Sequence, residues 1–459
     1  MNRKFLNVII LGFGFMFVFT AFQTMGNIEK TVIDSISKDD PGFTGNGYTS
    51  LAIIYATLAI CNWMAPSIIT ITGPRGAMLI GGLTYLFFII TFLFPRTWLL
   101  YVASVMIGAG AAAIWTGQGN YLTLNSDADT ISRNSGVFWA MLQCSMFFGN
   151  LFVFIKFQGK THIDLETRNV VFGALTGVCA VGSITISFLQ LLTAFDSRLV
   201  KHASCGHQVL GSNPARQTEL LSHLYYYISK DYDVNVSGVE LSFFSGVYSS
   251  SIGFTLGMGE NAKQLVGLSG VFIGMGEVLG GALFGILGNK TTRWGRDPIV
   301  IMGYVIHMVS FFLIFINLPN VAPFGETSEV SYITPSPQLA MFCSFLLGFG
   351  DACYNTQIYA ILGSNYADNS TSAFALFKFT QSMAAAACFF YSSQALLSVQ
   401  LVVLGSLASL GTATFCRVEW KRHKTVACLL LHIHLSLCLA SDQVVCRECE
   451  ASVLVCDET

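Results

Sequence analysis

The sequence predicts an all-α membrane protein of about 12 transmembrane helices, arranged as two pseudo-symmetric six-helix halves. Three observations support this fold class. The 459 residues are 53% hydrophobic and only 11% charged, whereas soluble domains carry about 25% charged residues. Apolar runs of transmembrane length recur along the whole chain, and polar patterns in the second half repeat those in the first. The formal net charge of −2 argues against nucleic acid as a partner.

The apolar runs are long enough to cross about 30 Å of hydrocarbon as helices. Helices are required because lipid offers backbone groups no other hydrogen-bond partner. The runs lie at 5–24, 48–70, 77–94, 99–122, 135–155, 170–192, 234–256, 265–287, 298–317, 338–362, 371–394 and 397–416. The first run has no small-residue cleavage site, so we expect it to stay in the protein as the first helix.

The runs divide the chain into an N-terminal six-helix half (1–194), a polar central loop (195–233), a C-terminal six-helix half (234–416) and a tail (417–459). The apolar part of the tail, about 426–440, is short for a membrane span and contains two histidines. This favours a tail or an interfacial segment over a thirteenth helix.

Lysine and arginine predict the orientation of the chain. With the N-terminus in the cytoplasm, the cytoplasmic segments hold roughly twice as many of these residues as the opposite side. An even number of spans then places both termini in the cytoplasm. In this topology the sequons at Asn235, Asn289 and Asn369 lie on the cytoplasmic side, so we expect none to carry a glycan.

An internal repeat links the two halves. The stretch from Gly108 to Asn120 in the fourth run is matched by the stretch from Gly348 to Gln357 in the tenth. An offset of 239 residues separates Trp115 from Tyr354 and Gln118 from Gln357. A repeat of the same topology predicts two parallel halves related by an axis along the membrane normal.

With this repeat, the twelve runs and the Gly/Arg loops that follow the second and eighth runs, the chain resembles the major facilitator superfamily. Within it, the chain is similar to the uncoordinated-ninety-three-like family. The motifs that carry the similarity stand in order along the chain: FVFTAFQT (17–24), GYTSLAIIY (47–55), WTGQGN (115–120), NSGVFW (134–139), FFGN (147–150), ELSFFSGVY (240–248), GEVLGG (276–281) and FLLGFGD (345–351).

The repeat and the amides within the runs predict a solute carrier that works by alternating access. The resemblance implies an alternative, because some family members act as accessory proteins of a channel or receptor. The chain departs from the family pattern at about 196–235 and after Trp420, which is typical of a splice or gene-model variant. The first Gly/Arg loop also lacks the Asp of the superfamily pattern. The proton-coupled gating that the superfamily associates with that loop is therefore not assumed for this chain.

Ionisable residues within the runs are candidates for proton or ion coupling, since each costs several kcal/mol in lipid unless it is paired or hydrated. They are Asp351, Lys378, Glu240 and Glu277. One interpretation is an Asp351–Lys378 pair whose carboxylate exchanges a proton; the alternative is a structural salt bridge. Packing and hydrogen bonding also account for Glu277, and His307 is interpreted as a satisfied core histidine.

Uncharged polar and aromatic residues form a second set, duplicated in the two halves. The candidate substrate-binding residues are Trp115, Gln118, Asn120, Gln143, Tyr354, Asn355, Gln357 and Gln381. Amides within spans must find partners, so they are expected to point inward. An aromatic ring beside an amide suits a small polar organic solute at the midplane, while helix-to-helix hydrogen bonding is the alternative.

Other kinds of site lack a supporting pattern. The single pair Cys446 and Cys449 falls short of the four ligands of a structural zinc site, so we expect no metal and no cofactor. No nucleophile–base arrangement stands out, so an enzyme is not expected. The expected partners are the lipid bilayer, an unidentified small solute and, for the accessory function, another membrane protein.

Overall fold

A computed structural model describes residues 3–127, 130–160, 162–199, 235–365 and 370–440. The described residues are almost entirely helical, with one isolated bridge between Thr255 and Thr327. The helices are α1 (Arg3–Asp39), α2 (Gly47–Asn62), α3 (Ala65–Thr91), α4 (Thr97–Leu124), α5 (Ile131–Lys156), α6 (Leu165–Leu199), α7 (Asn235–Ser242), α8 (Ser249–Phe254), α9 (Ala262–Trp294), α10 (Asp297–Asn317), α11 (Pro337–Asn365), α12 (Ser370–Ser392) and α13 (Leu397–Ala440).

The helices confirm an all-α, multi-pass membrane fold. Within the described ranges, nine helical segments are long and apolar enough to cross a bilayer, in α1, α3 to α6, α9, α10, α12 and α13. Three predicted runs remain, and each is helical: α2, the continuous stretch 235–254, and α11. Most of the predicted central loop, the sequon Asn369 and the pair Cys446 and Cys449 lie outside the described residues.

Helix α1 is much longer than the predicted run 5–24. It continues to Asp39 and buries Asn27, Glu29 and Lys30 along the way. These polar residues end the apolar run in the sequence, but they do not end the helix, because packing against other helices surrounds them. Helix α13 likewise continues beyond the predicted end at 416, so the backbone of 426–440 is helical.

The boundary between the second and third spans lies between the predicted runs 48–70 and 77–94, although the helices themselves are divided at a different point. Helix α2 ends at Asn62, and α3 begins at Ala65. Inside α3, Gly73 breaks the helix with φ 69° and ψ 161°, directly before Pro74. Glycine adopts this left-handed φ without steric cost, and proline lacks the amide donor that a continuing helix would need. The second span therefore ends at Gly73.

The predicted seventh span is irregular at its centre. Between α7 and α8, residues Phe243–Tyr248 form a π-helix, which continues the helical path from Asn235 to Phe254. Single π-helical turns in α-helices are rare and often occur at functional sites. Here the π-helical segment places Phe244 and Ser245 at the surface of a central cavity.

The two halves meet along two symmetry-related contacts: α5 packs on α9, and α2 packs on α12. The α5–α9 contact is close because three glycines of α9 face α5. A Cβ at Gly267 would lie 2.7 Å from the Phe154 nitrogen, and one at Gly274 would lie 2.8 Å from the Phe147 nitrogen. A Cβ at Gly270, the third of them, would meet the Asn150 side chain. Small residues of this kind let membrane helices approach backbone to backbone.

Candidate functional site

A central cavity of about 90 Å³ lies between the halves and is lined by both. Its aromatic lining residues are Phe19, Phe22, Tyr55, Tyr85, Trp115, Trp139 and Phe244. Its polar lining residues are Gln23, Gln143, Ser245, Glu277, Asp351, Asn355, Lys378, Gln381 and Ser382. Charged and amide groups from both halves are thus gathered around one cavity inside the protein.

The cavity brings together seven of the twelve residues that the sequence singles out. Four are candidate substrate-binding residues: Trp115, Gln143, Asn355 and Gln381. Three are candidate coupling residues: Glu277, Asp351 and Lys378. The lining does not include Gln118, Asn120, Tyr354, Gln357 or Glu240.

Lys378 reaches into the cavity from α12. Its ammonium group donates a hydrogen bond to Gln381 Oε1 at 2.7 Å and lies 4.4 Å from the centre of the Trp115 ring. Cation–π contact of this kind stabilises a desolvated ammonium group by about 2 kcal/mol. In the described part of the chain Lys378 forms no ion pair with Asp351. The proposed Asp351–Lys378 salt bridge is therefore not formed in this conformation.

The two carboxyl groups of the cavity, Glu277 on α9 and Asp351 on α11, lie close enough to interact electrostatically. Asp351 Oδ2 accepts a hydrogen bond from Asn355 at 2.7 Å. Asp351 is 1% exposed, and its other oxygen has no hydrogen-bond partner among the described residues. A buried carboxylate with an unused oxygen is an energetic cost that a ligand can offset.

A relay of side-chain amides links the N-terminal half to Glu277. Gln23 on α1 donates to Gln143 Oε1 at 3.2 Å, and Gln143 on α5 donates to Glu277 Oε2 at 2.8 Å. Gln23 also accepts a short hydrogen bond from the Ser145 hydroxyl. Glu277, which belongs to the C-terminal half, is therefore oriented by a donor from the other half.

The five remaining candidates lie outside the cavity. Glu240 pairs with His307, whose Nδ1 is 2.8 Å from Glu240 Oε1 and whose Nε2 is 3.2 Å from the Leu347 carbonyl oxygen. Acceptors at both ring nitrogens fit a doubly protonated imidazolium. Tyr354 stacks on His307 and bonds Thr412. Gln118 and Gln357 are buried, and Asn120 is half-buried.

Three polar residues of α1 lie at or beyond the end of the first apolar run, so the sequence pattern does not mark them as candidate site residues. Gln23 lines the cavity. Asn27 donates to Asn150 Oδ1 at 2.6 Å and to the Val266 carbonyl at 3.0 Å, which joins α1, α5 and α9. Glu29 is fully buried. The helical spacing of Gln23 and Asn27, four residues apart, is the signal that could have revealed them.

Ion pairs cluster at the membrane face that holds the C-terminal end of α1. Glu326, in the loop between α10 and α11, lies 3.3 Å from Lys38 Nζ of the N-terminal half and 3.0 Å from Lys263 Nζ of the C-terminal half. Partial burial alone would raise the pKa of Glu326, but the two lysines lower it overall. This acidic residue therefore joins the two halves, and we name this side the Glu326 face.

The same face carries a second charged cluster. Asp164 accepts a hydrogen bond from the Thr167 amide at the start of α6, and Lys160 is 3.0 Å away. Hydrogen bonds from Thr167 and Lys160 lower the pKa of Asp164 to about 2. Asp39 pairs with both His162 and Arg168. These contacts tie the end of α1 to the loop before α6.

Among the described residues, aromatic rings join the halves at the opposite face. Trp139 of α5 lies 5.2 Å from Tyr359 of α11, and Tyr359 lies 5.5 Å from Phe374 of α12. Gly119 of α4 packs against Phe374, since a Cβ there would be 3.0 Å from that ring. Contacts between the halves therefore exist on both sides of the central cavity.

Residues 43–416 match the sequence pattern of the family described as ion channel regulatory protein UNC-93. The chain is 45% identical over 433 residues to the UNC93-like protein MFSD11 of Xenopus laevis, covering 91% of this chain and 97% of that one. It is 23% identical over 463 residues to the protein unc-93 homolog A of Homo sapiens, with 91% and 94% covered.

Solved structures with a similar fold include two transporters. A peptide transporter POT superposes with a TM-score of 0.57 at 12% identity, covering 90% of this chain and 94% of that one. A POT family transporter in complex with 5-aminolevulinic acid superposes with a TM-score of 0.56 at 14% identity, with 92% and 97% covered. At these identities the likeness is one of fold alone.

Proposed function

This chain belongs to the UNC-93 family, and from that premise we propose that it is a solute carrier that moves a small polar solute by alternating access of its two halves. The observation that carries the proposal is the central cavity, which is lined by both halves and flanked by contacts between them on each side. A site of this kind can be exposed to one side of the membrane at a time.

The lining residues suggest separate roles. Trp115, Gln143, Asn355 and Gln381 would contact the solute with one aromatic ring and three amides. Glu277 and Asp351 would bind the coupling proton or ion, with Lys378 held beside them by Gln381. Ionisable groups at membrane depth are retained in transporters for such purposes.

The alternation would involve different contacts on the two faces. Opening at the Glu326 face requires the Lys38–Glu326 ion pair between the halves to break. Opening at the other face requires Trp139 to separate from Tyr359. We assign the Glu326 face to the side away from the cytoplasm, because the lysine and arginine distribution places both termini in the cytoplasm.

Transport is tested with the purified chain in proteoliposomes, by measuring uptake across a library of small polar solutes. Gln143→Ala should lower the uptake of any transported solute about tenfold or more, because it removes the donor to Glu277. Gln357→Ala is the matched control, since Gln357 lies outside the lining. Absence of flux for every solute, or equal uptake by both variants, would contradict the proposal.

An accessory function is the second candidate, and the description of the matching family as ion channel regulatory proteins favours it. In this case the chain would bind another membrane protein and regulate it. Affinity purification from native membranes would recover one channel or receptor in constant proportion. Recovery of the chain alone, together with measurable uptake in proteoliposomes, would support the carrier function over the accessory function.

A further inference from the structure

We infer that the central cavity binds an organic ammonium ion, a small solute that carries a protonated amine on an apolar or aromatic body. The inference rests on the proposed function, because it names the class of solute that the same cavity would take. Its basis is the unpartnered oxygen of Asp351 in the cavity and the nature of the remaining lining.

The cavity holds two carboxyl groups, which lie close enough to interact with each other and which accept hydrogen bonds from neutral amides. Glu277 accepts from Gln143 at 2.8 Å, and Asp351 accepts from Asn355 at 2.7 Å. The Oδ1 atom of Asp351 is buried without a partner in the described part of the chain. A carboxylate in this situation is destabilised by several kcal/mol until a cation approaches it.

The Lys378 ammonium group, which lines the cavity, does not act as the direct counter-charge of either carboxyl group. Lys378 donates to Gln381 and rests against the faces of Trp115 and Phe377, at 4.4 Å and 5.1 Å from the ring centres. It makes no ion pair with Glu277 or Asp351 among the residues that are described. Glu277 and Asp351 lie within hydrogen-bonding reach of each other, so the pair can share one proton and carry a single negative charge, which Lys378 balances. A cationic ligand is favoured by the unpartnered Oδ1 atom of Asp351, to which it would donate, and not by a net charge of the cavity.

The rest of the lining selects an organic cation over a metal ion. Aromatic rings from both halves, including Phe19, Phe22 and Tyr85 of the first and Phe244 of the second, surround the charged groups. Within the described residues no group of three or more histidine, cysteine or acidic side chains could hold a metal. Aromatic faces attract ammonium groups and pack well against an apolar body.

Three probes of one shape and different charge test the inference: 2-phenylethylamine, 2-phenylethanol and 3-phenylpropanoate. Thermal unfolding of the full chain in detergent is followed at pH 7 and constant ionic strength. The amine should raise Tm in a saturable way, and the alcohol and the carboxylate should not. An equal shift with the alcohol or a larger shift with the carboxylate would overturn the inference, as would a shift produced by sodium chloride alone.

Asp351→Asn keeps the shape of the side chain and removes its charge, so it should weaken the affinity for 2-phenylethylamine at least tenfold. Glu277→Gln is the second variant, in case the first does not fold. Gln357→Ala is the control and should bind the amine as the unaltered chain does. Unchanged affinity in both acidic variants would contradict the inference.

Binding and flux separate the two proposals. Saturable binding of the amine without any flux in proteoliposomes would remove the carrier function and leave the ammonium site standing. Flux of a neutral or anionic solute, together with no binding of the amine, would remove the ammonium site and leave the carrier function standing.

Discussion

At the scale of single residues, Glu29 has the least favourable environment in the N-terminal half. Its side chain is fully buried on α1, and neither carboxylate oxygen has a hydrogen-bond partner among the described residues. The neighbouring Lys30 turns away and pairs with Asp34 at 2.5 Å. A carboxyl group without a counter-charge inside a membrane protein lowers stability unless it serves a function.

Glu29→Gln should therefore raise the thermal stability of the purified protein. The amide keeps the shape of the side chain and removes the charge, and we expect a gain on the order of 1–3 kcal/mol in the free energy of unfolding. The measurement is Tm in detergent. Glu329→Gln, at an exposed position in the loop between α10 and α11, is the control and should leave Tm unchanged. A lower Tm for Glu29→Gln would show that a partner stabilises this carboxylate.

The pair of Glu240 and His307 is expected to stabilise the fold rather than bind solute. Glu240→Gln should lower the free energy of unfolding by about 3–5 kcal/mol, because His307 would keep a buried charge without its counter-charge. The double variant with His307→Gln should be less destabilised than the sum of the single ones. Strictly additive losses in Tm would argue against coupling between the two side chains.

The residues that line the cavity are only partly predictable from the sequence. Asn355 and Tyr354 are neighbours on α11, yet Asn355 reaches the cavity while Tyr354 bonds Thr412. Which of the two points inward depends on the rotation of the helix. The rotation of a membrane-spanning helix cannot be derived from its pattern of apolar residues, because the lipid and the packed interior are both apolar. The sequence therefore identifies the polar residues but not their directions.

At the scale of elements, glycine spacing on α9 determines how closely the halves approach. Gly267→Ala should lower Tm by several degrees, because the added Cβ would lie 2.7 Å from the Phe154 nitrogen and 3.0 Å from the Asn150 oxygen. Gly177→Ala on α6 is the matched control, since a Cβ there meets nothing within 4 Å. The control should keep or slightly raise Tm. Equal Tm values for both variants would contradict the close packing of α5 on α9.

The predicted spans agree with the helices wherever apolar runs are bounded by turn residues, as at α10 and α12. They fail where a helix contains buried polar groups. Asn27 and Glu29 end the first run early, although α1 continues past them. The break at Gly73 and Pro74 falls in the predicted gap between the second and third runs.

At the scale of the whole molecule, the described contacts between the halves differ in kind on the two faces. On the Glu326 face they are ion pairs, which salt and acid weaken. On the opposite face they include the aromatic contacts of Trp139, Tyr359 and Phe374, which respond little to either. The balance between the two closed faces should therefore shift with ionic conditions on the Glu326 side.

Glu326→Gln should lower Tm modestly near neutral pH, by no more than about 1 kcal/mol in stability, because the ion pairs are partly exposed. Since the lysines lower the pKa of Glu326 below its ordinary value of 4.5, the pairs should persist above that pH. Their contribution is lost as the pH falls through the lowered pKa. The difference in Tm between the unaltered chain and the Glu326→Gln variant should thus stay constant from pH 8 to about 5 and shrink in more acidic buffer. A difference that vanishes already near pH 6 would contradict this.

The relay from Gln23 through Gln143 to Glu277 has a consequence for an empty carrier. Gln143, the donor, and Glu277, the acceptor, belong to opposite halves. Any rocking motion that separates the halves therefore breaks the hydrogen bond between them. Without cargo, Glu277 would regain its amide donor only when the halves close again, as in the conformation described here, where Gln143 lies 2.8 Å away. The empty protein should therefore favour this closed conformation and open slowly to either side. Such a protein would spend little time open until a solute offers Glu277 another donor.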